Sequence, residues 1–208
     1  MKSQTLILAS AVSIFLASCE NPADKTTNAT VSDAVKVAAD STTGGVKYSL
    51  SPSSEIHFTG SKVTGSHTGG FKKFTGSFTV ADKALVGTGQ KIVIDMNSVW
   101  TDDEKLTGHL KSADFFNVEK FSQSTFELTG LKPISDGNYQ VSGNLTLNGT
   151  SKNITFPAGT KIEGAKAHVH AKFDINRKDF GVVYAGKADD LIRDEVVIEL
   201  KLEAAPEA

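Results

Sequence analysis

One cysteine in 208 residues, Cys19, leaves the chain without an internal disulfide, so its fold has to be held by its core. Lysine and arginine total 22 against 24 aspartates and glutamates, a formal charge of −2 with no basic footprint for nucleic acid. No GxSxG or HExxH motif occurs, and no cysteine is available as a nucleophile beyond Cys19. A Ser-His-Asp set could be drawn from many residues, but no spacing singles one out, so a non-enzyme without a cofactor is expected. The longest apolar run, Thr5–Ala17 (TLILASAVSIFLA), is shorter than the roughly 20 residues a membrane-spanning helix needs. Tryptophan occurs once and proline five times, against 18 glycines and 12 phenylalanines. With its many Thr, Val and Ile residues, that composition leans towards sheet.

Lys2 and the run after it read as the n- and h-regions of a secretory signal over residues 1–18. Leu16-Ala17-Ser18-Cys19 resembles a bacterial lipobox, in which Cys19 is acylated and becomes the mature N-terminus. The expectation is a protein of the bacterial cell envelope, anchored in a membrane by its N-terminal lipid. Glu20, standing where an inner-membrane retention signal would have aspartate, points to the outer membrane. An ordinary signal peptide with a coincidental cysteine is the alternative. Cleavage leaves about 190 residues, enough for one domain with a real core. Residues 19–44 are small and polar with no aromatic, a composition that buries little and is expected to form a flexible tether.

From residue 45 the pattern changes to period two. Ile56 and Phe58 alternate with Glu55, His57 and Thr59, and Phe74, Phe78 and Val80 oppose Lys73, Thr75 and Ser77. The alternation continues through Ile92-Ile94-Met96, Phe126-Leu128, Tyr139-Val141 and Leu145-Leu147. It returns at Val169-Ala171-Phe173-Ile175 and at Val196-Ile198-Leu200-Leu202. Asp136-Gly137 and Asn148-Gly149 are the strongest hairpin signals between these runs. TDDEKLTGHLKSADFF, 101–116, departs from strand chemistry: Thr101 is a candidate N-cap and Leu106 and Leu110 lie at helical spacing. A second short helical piece is expected near Lys187 to Ile192. About eight strands with one or two short helices fit a closed antiparallel barrel or a sandwich, and periodicity does not say whether a barrel would be filled or hollow.

Several segments resemble the YceI-like family of exported, lipocalin-like lipid-binding proteins: IDMNS (Ile94 to Ser98), HLKSADFFNV (His109 to Val118) and GNLTLNGTSK (Gly143 to Lys152). NRKDFG (Asn176 to Gly181), DEVVIEL (Asp194 to Leu200) and GSKVTGSHTGGF (Gly60 to Phe71) add to the likeness. The resemblance implies an all-β, lipocalin-like eight-stranded antiparallel barrel over residues 45–204, enclosing an apolar tunnel for an isoprenoid, an isoprenoid quinone or another long-chain amphiphile. On that tunnel the candidates for ligand contact are Phe58, Phe74, Phe78, Ile94, Leu110, Phe115, Phe126, Leu145, Phe173, Ile175 and Phe180. Lys62, His67, His109 and Arg177 are candidates for the headgroup at its mouth.

The expected partners are therefore a long-chain lipid, the membrane and, as a further candidate, a second copy of the chain. His168 and His170 share one strand face with Lys172, but no third ligand accompanies them, so solvated outer-face residues are expected rather than a metal site. A structural or envelope-stress barrel without ligand, and an enzyme acting on the same lipids, are the rival functions.

Overall fold

Period-two alternation becomes wall and lining of a closed meander. In the computed structural model the described residues are 21–37 and 44–207; the signal segment 1–18 and Cys19 lie outside them. Eight barrel strands follow in chain order. Strand β1 is Val46–Leu50 continued as Glu55–Lys62, β2 is Gly65–Phe71 continued as Phe74–Ala81, and β3 is Lys91–Asp95 continued as Val99–Thr101. Then come β4 (Gln123–Ser135), β5 (Asn138–Leu147), β6 (Thr150–Glu163), β7 (Lys166–Asn176) and β8 (Asp190–Pro206). Each pairs antiparallel with the next, and β8 pairs with β7 on one side and with both halves of β1 on the other. The ring is closed, which selects the barrel over the sandwich.

The hairpin signals hold. Leu147 pairs with Thr150 across Asn148 (φ 49°) and Gly149 (φ 76°), two positive-φ residues as a type I′ turn requires. The one α-helix among the described residues, α1 (Glu104–Lys111), falls inside the predicted stretch but starts at a different cap. The Asp103 carboxylate accepts from the N–H groups of Lys105 and Leu106, while the Thr101 hydroxyl donates to the Asp103 carbonyl. The helix expected at 187–192 is not there. Gly186 (φ 85°) and the Ile192 N–H, bonded to the Ala185 carbonyl, instead make a tight return into β8.

The two ends of the barrel differ. At one, Tyr48 and Phe78 stack with ring centroids 6.4 Å apart and pack with Val80, Ala167 and Ala204, the two alanines fully buried. That end is filled. At the other end stand α1, the β1–β2 and β5–β6 turns, and the loop from Arg177 to β8.

Residues 21–37 correct the expectation of a flexible tether. Strands β6 and β7 pair with each other only over Gly159–Glu163 and Lys166–His170. Beyond that they splay, and the N-terminal segment enters the gap as an arm. Thr30–Asp33 pairs antiparallel with residues 152–155 of β6, and Thr27–Asn28 runs parallel to Phe173–Asp174 of β7. Asp174, on the outer face and only 2% exposed, accepts from the Thr26 hydroxyl at 2.7 Å. The Asn28 amide nitrogen, turned towards the same carboxylate, lies 3.0 and 3.1 Å from its two oxygens. Asn144 fixes the far end of the arm by accepting from the Val35 N–H and donating to its carbonyl. The arm has little apolar surface of its own; the unpaired backbone edges of β6 and β7 order it. Deleting residues 21–33 from an otherwise intact soluble domain should therefore cost about 3 kcal/mol and lower Tm by roughly 6–12 °C. Thermal melts of the truncated and full domains check this.

Candidate ligand cavity

Between the filled end and α1 lies an apolar cavity of about 360 Å³. Its lining comes from all eight strands and α1, because each contributes residues of its inward-facing set. Two aromatic groups bracket it. Phe58 (β1), Phe71 (β2) and Phe116, just past α1, have centroids 5.8 to 6.5 Å apart. Phe156 (β6) stacks on Phe173 (β7) at 4.0 Å and meets Phe126 (β4) at 5.8 Å.

Two glycines set the seats of these rings. Phe58 pairs with Gly69 across the ladder, and a Cβ on that glycine would stand 2.5 Å from the ring. A Cβ on Gly143 would stand 2.1 Å from the ring of Phe126. With no side chain in the way, both rings lie back against the wall and leave the lumen open.

Most of the expected tunnel residues line this space: Phe58, Ile94, Leu110, Phe115, Phe126, Leu145, Phe173 and Ile175. Three do not. Phe78 belongs to the filled end, where it stacks on Tyr48. Phe74 packs against the cluster of Ile56, Ile94 and Met96. Phe180 is fully buried with Ile154 and Ile175, because the 3₁₀ turn Arg177–Phe180 removes it from strand alternation. Sequence reasoning missed Ile154 and Phe156 of β6, whose alternation in NITFPA interrupts a Thr- and Lys-rich segment, and Phe71 and Ile192, which sit at breaks or ends of strands.

Of the headgroup candidates, Lys62, His67 and Arg177 line the mouth and His109 does not. His109 is held on α1 by Asp114 at 2.9 Å and lies edge-on to Phe115 and Tyr184, so it serves packing outside the cavity. Arg177, 5% exposed, is a latch for the mouth loop. Its guanidinium donates to the carbonyls of Arg193 (3.0 Å), Val182 (2.7 Å) and Ile192 (3.5 Å), and to the Asp194 carboxylate at 3.3 Å. Burial pushes its pKa down and Asp194 opposes the shift. Lys62 is bonded to Asp190, which also accepts from the backbone and hydroxyl of Thr64. The Lys62 bond chiefly holds Asp190 below the usual carboxylate range. His67 Nδ1 lies 2.8 Å from Asp102, whose pKa is lowered first by the Thr68 N–H and then by His67. His168 and His170 lie on the outer wall, His168 4.0 Å from Glu203.

If Arg177 is the latch, Arg177→Met should leave the loop carbonyl of Val182 and the β8 carbonyls of Ile192 and Arg193 without their donor. It should cost about 2–3 kcal/mol and raise amide exchange selectively over residues 181–194. Urea unfolding and hydrogen-exchange mass spectrometry check the two effects.

The sequence profile of the YceI-like domain matches residues 48–204. A UPF0312 protein of Yersinia pestis is 40% identical over 120 residues, 55% of this chain and 62% of that protein's length. The chain thus spans less than two thirds of the curated relatives it matches. Among solved structures, Burkholderia cenocepacia BcnA superposes with a TM-score of 0.65 at 25% identity, covering 73% of this chain and 96% of that one. A polyisoprenoid binding domain from Saccharophagus degradans superposes with a TM-score of 0.63 at 21% identity, over 78% and 99%, and shows the shared fold. With the closed eight-stranded barrel and the profile match over most of its length, the chain belongs to the YceI-like domain family.

Proposed function

We propose that this protein binds and carries a long-chain amphiphilic lipid, an isoprenoid or a chain of similar shape, inside the barrel. The observation that carries this reading is the 360 Å³ apolar cavity. Packed protein interiors leave few spaces larger than a water molecule, so an apolar space of this size calls for an occupant. The rival reading of a filled structural barrel has no account of it. At roughly 30 Å³ for a group of water's size, the space takes on the order of a dozen chain carbons. Burying these is worth about 10 kcal/mol gross, before the cost of ordering and immobilising the ligand. The Saccharophagus degradans neighbour, described as a polyisoprenoid binding domain, supports the same ligand class. Among the described residues, Lys62, His67 and Arg177 are the titratable groups that line the cavity, and each is held by a carboxylate outside the lining, which favours holding the lipid over transforming it.

Anchoring belongs to the same proposal and rests on the lipobox-like Leu16–Cys19. An acyl chain on Cys19 would tie the barrel to the envelope, with the outer membrane the site favoured by Glu20. Because Asn21 is buried and the 3₁₀ turn Pro22–Lys25 follows it with Ala23 buried, the leash is short. Two residues span at most about 7 Å, so the barrel would ride close to the bilayer rather than on a tether of 25 residues. Cys19→Ala should move the protein from the membrane to the soluble fraction; retention in the membrane fraction would remove the anchor from the reading.

The cavity is tested by filling it. Leu145, half-buried on β5 opposite Phe126, faces open space, so Leu145→Trp should displace bound lipid and cost less than about 1.5 kcal/mol. Mass spectrometry of an organic extract and a melt of the same sample read both. Lipid retained at the wild-type level, or wild-type protein that neither carries lipid nor takes up added farnesol, would defeat the reading.

A further inference from the structure

Among the described residues, Lys62 and Arg177 are the cations that line the mouth of the cavity, and both are paired with carboxylates. Lys62 is bonded to Asp190, and Thr64 fixes that carboxylate from a second side through its N–H and its hydroxyl. Arg177 spends its donors on three carbonyls and Asp194. The second Asp194 oxygen takes Lys178 at 2.8 Å, so that neighbouring cation is spent as well. His67 faces Asp102, which also accepts from the Thr68 N–H. Arg193 alternates with the lining residue Ile192 and is exposed on the outer face. The remaining polar groups of the lining are few, and the Ser124 hydroxyl among them is spent on the Thr146 carbonyl.

An anionic end brought to this rim would lose hydration without gaining a free counter-ion, which weakens its binding. An uncharged end meets no such penalty. Resting on the lipid-binding reading above, we propose that the cavity selects amphiphiles with an uncharged head and discriminates against phosphates and carboxylates, and that Asp190 is the positioning residue that sets this choice by occupying Lys62. Asp190 is not part of the lining itself; it acts on the ligand only through the lysine it neutralises.

The pair of probes is farnesol and farnesyl monophosphate, which share one chain and differ in charge, measured by displacement of a fluorescent lipid at pH 7.5. Wild-type protein should bind farnesol at least ten-fold more tightly than the phosphate. Asp190→Asn keeps a polar partner for Thr64 but frees the lysine charge, and should raise the ratio of phosphate to farnesol affinity at least ten-fold. Adding Lys62→Gln to Asp190→Asn should return that ratio to the wild-type value. Melting each variant on the same sample separates a changed mouth from a lost fold, and the ratio is read only on folded protein. The Lys62→Gln single variant gives a second route: with the cation gone, wild-type discrimination should persist. Equal binding of both probes by the wild type, or an Asp190→Asn ratio that does not move, overturns the inference while leaving lipid binding intact. A Lys62→Gln protein that loses discrimination overturns it too. Binding of neither probe overturns the lipid-binding reading and this inference with it.

Discussion

Everything in this molecule depends on how β8 closes the ring. That strand runs for 17 residues and pairs with the full inner length of β7 and with both halves of β1. Closure removes the sheet edges there and obliges alternate residues of every strand to face one another across the lumen. Eight strands are just enough to be filled by side chains or to hold one slender ligand. The outcome is then decided by the size of the residue at each inward position. Tyr48, Phe78 and Val80 fill one end, while Gly69 and Gly143 withdraw the rings of Phe58 and Phe126 towards the wall and keep the other end open.

Closure is nevertheless incomplete between β6 and β7, and the arm repairs it. The repair is made of backbone hydrogen bonds and a few polar side chains, since Ala29 and Val31 are its only apolar residues against the main core cluster. Asp174 shows how far the barrel relies on this. It sits on an outer face, where a carboxylate would ordinarily be solvated, yet it is buried beneath residues that precede the barrel in sequence. The same device brings Asn21 onto the wall, so an anchor at Cys19, as proposed, would hold the barrel close to the bilayer.

The mouth is organised by ionic pairs rather than by free charges. Arg177 ties the loop that carries Val182 to the start of β8 at Ile192 beside the cavity, and Asp190 and Asp102 face Lys62 and His67 across the rim. Such pairs add little stability where they are exposed. Their effect is on what the mouth can recognise, because a cation already bonded to a carboxylate offers little to a second anion.

The alternation of apolar residues from Ile56 to Leu202 determined the strands, Asn148-Gly149 and Asp136-Gly137 determined two hairpins, and the segments around Ile94, His109 and Gly143 determined the family. Those are local features: side-chain period, turn conformation and motif are written within a few neighbouring residues. Alternation also brought six of the eleven tunnel candidates to the cavity, Phe58, Ile94, Phe126, Leu145, Phe173 and Ile175, since a residue's face follows from its neighbours. What lay beyond the sequence was distance along the barrel axis and partnership across it. Phe78 and Phe126 read alike in their strands, yet one falls at the filled end and the other at the open one. Residues 21–37 read as polar linker because the edges that order them, on β6 and β7, exist only once the ring has closed. Lys62 and Arg177 read as available cations because Asp190, 128 residues from Lys62, becomes a neighbour only through the pairing of β1 with β8. The period of the chain fixes which way a side chain faces; only the register of the closed barrel decides what it meets.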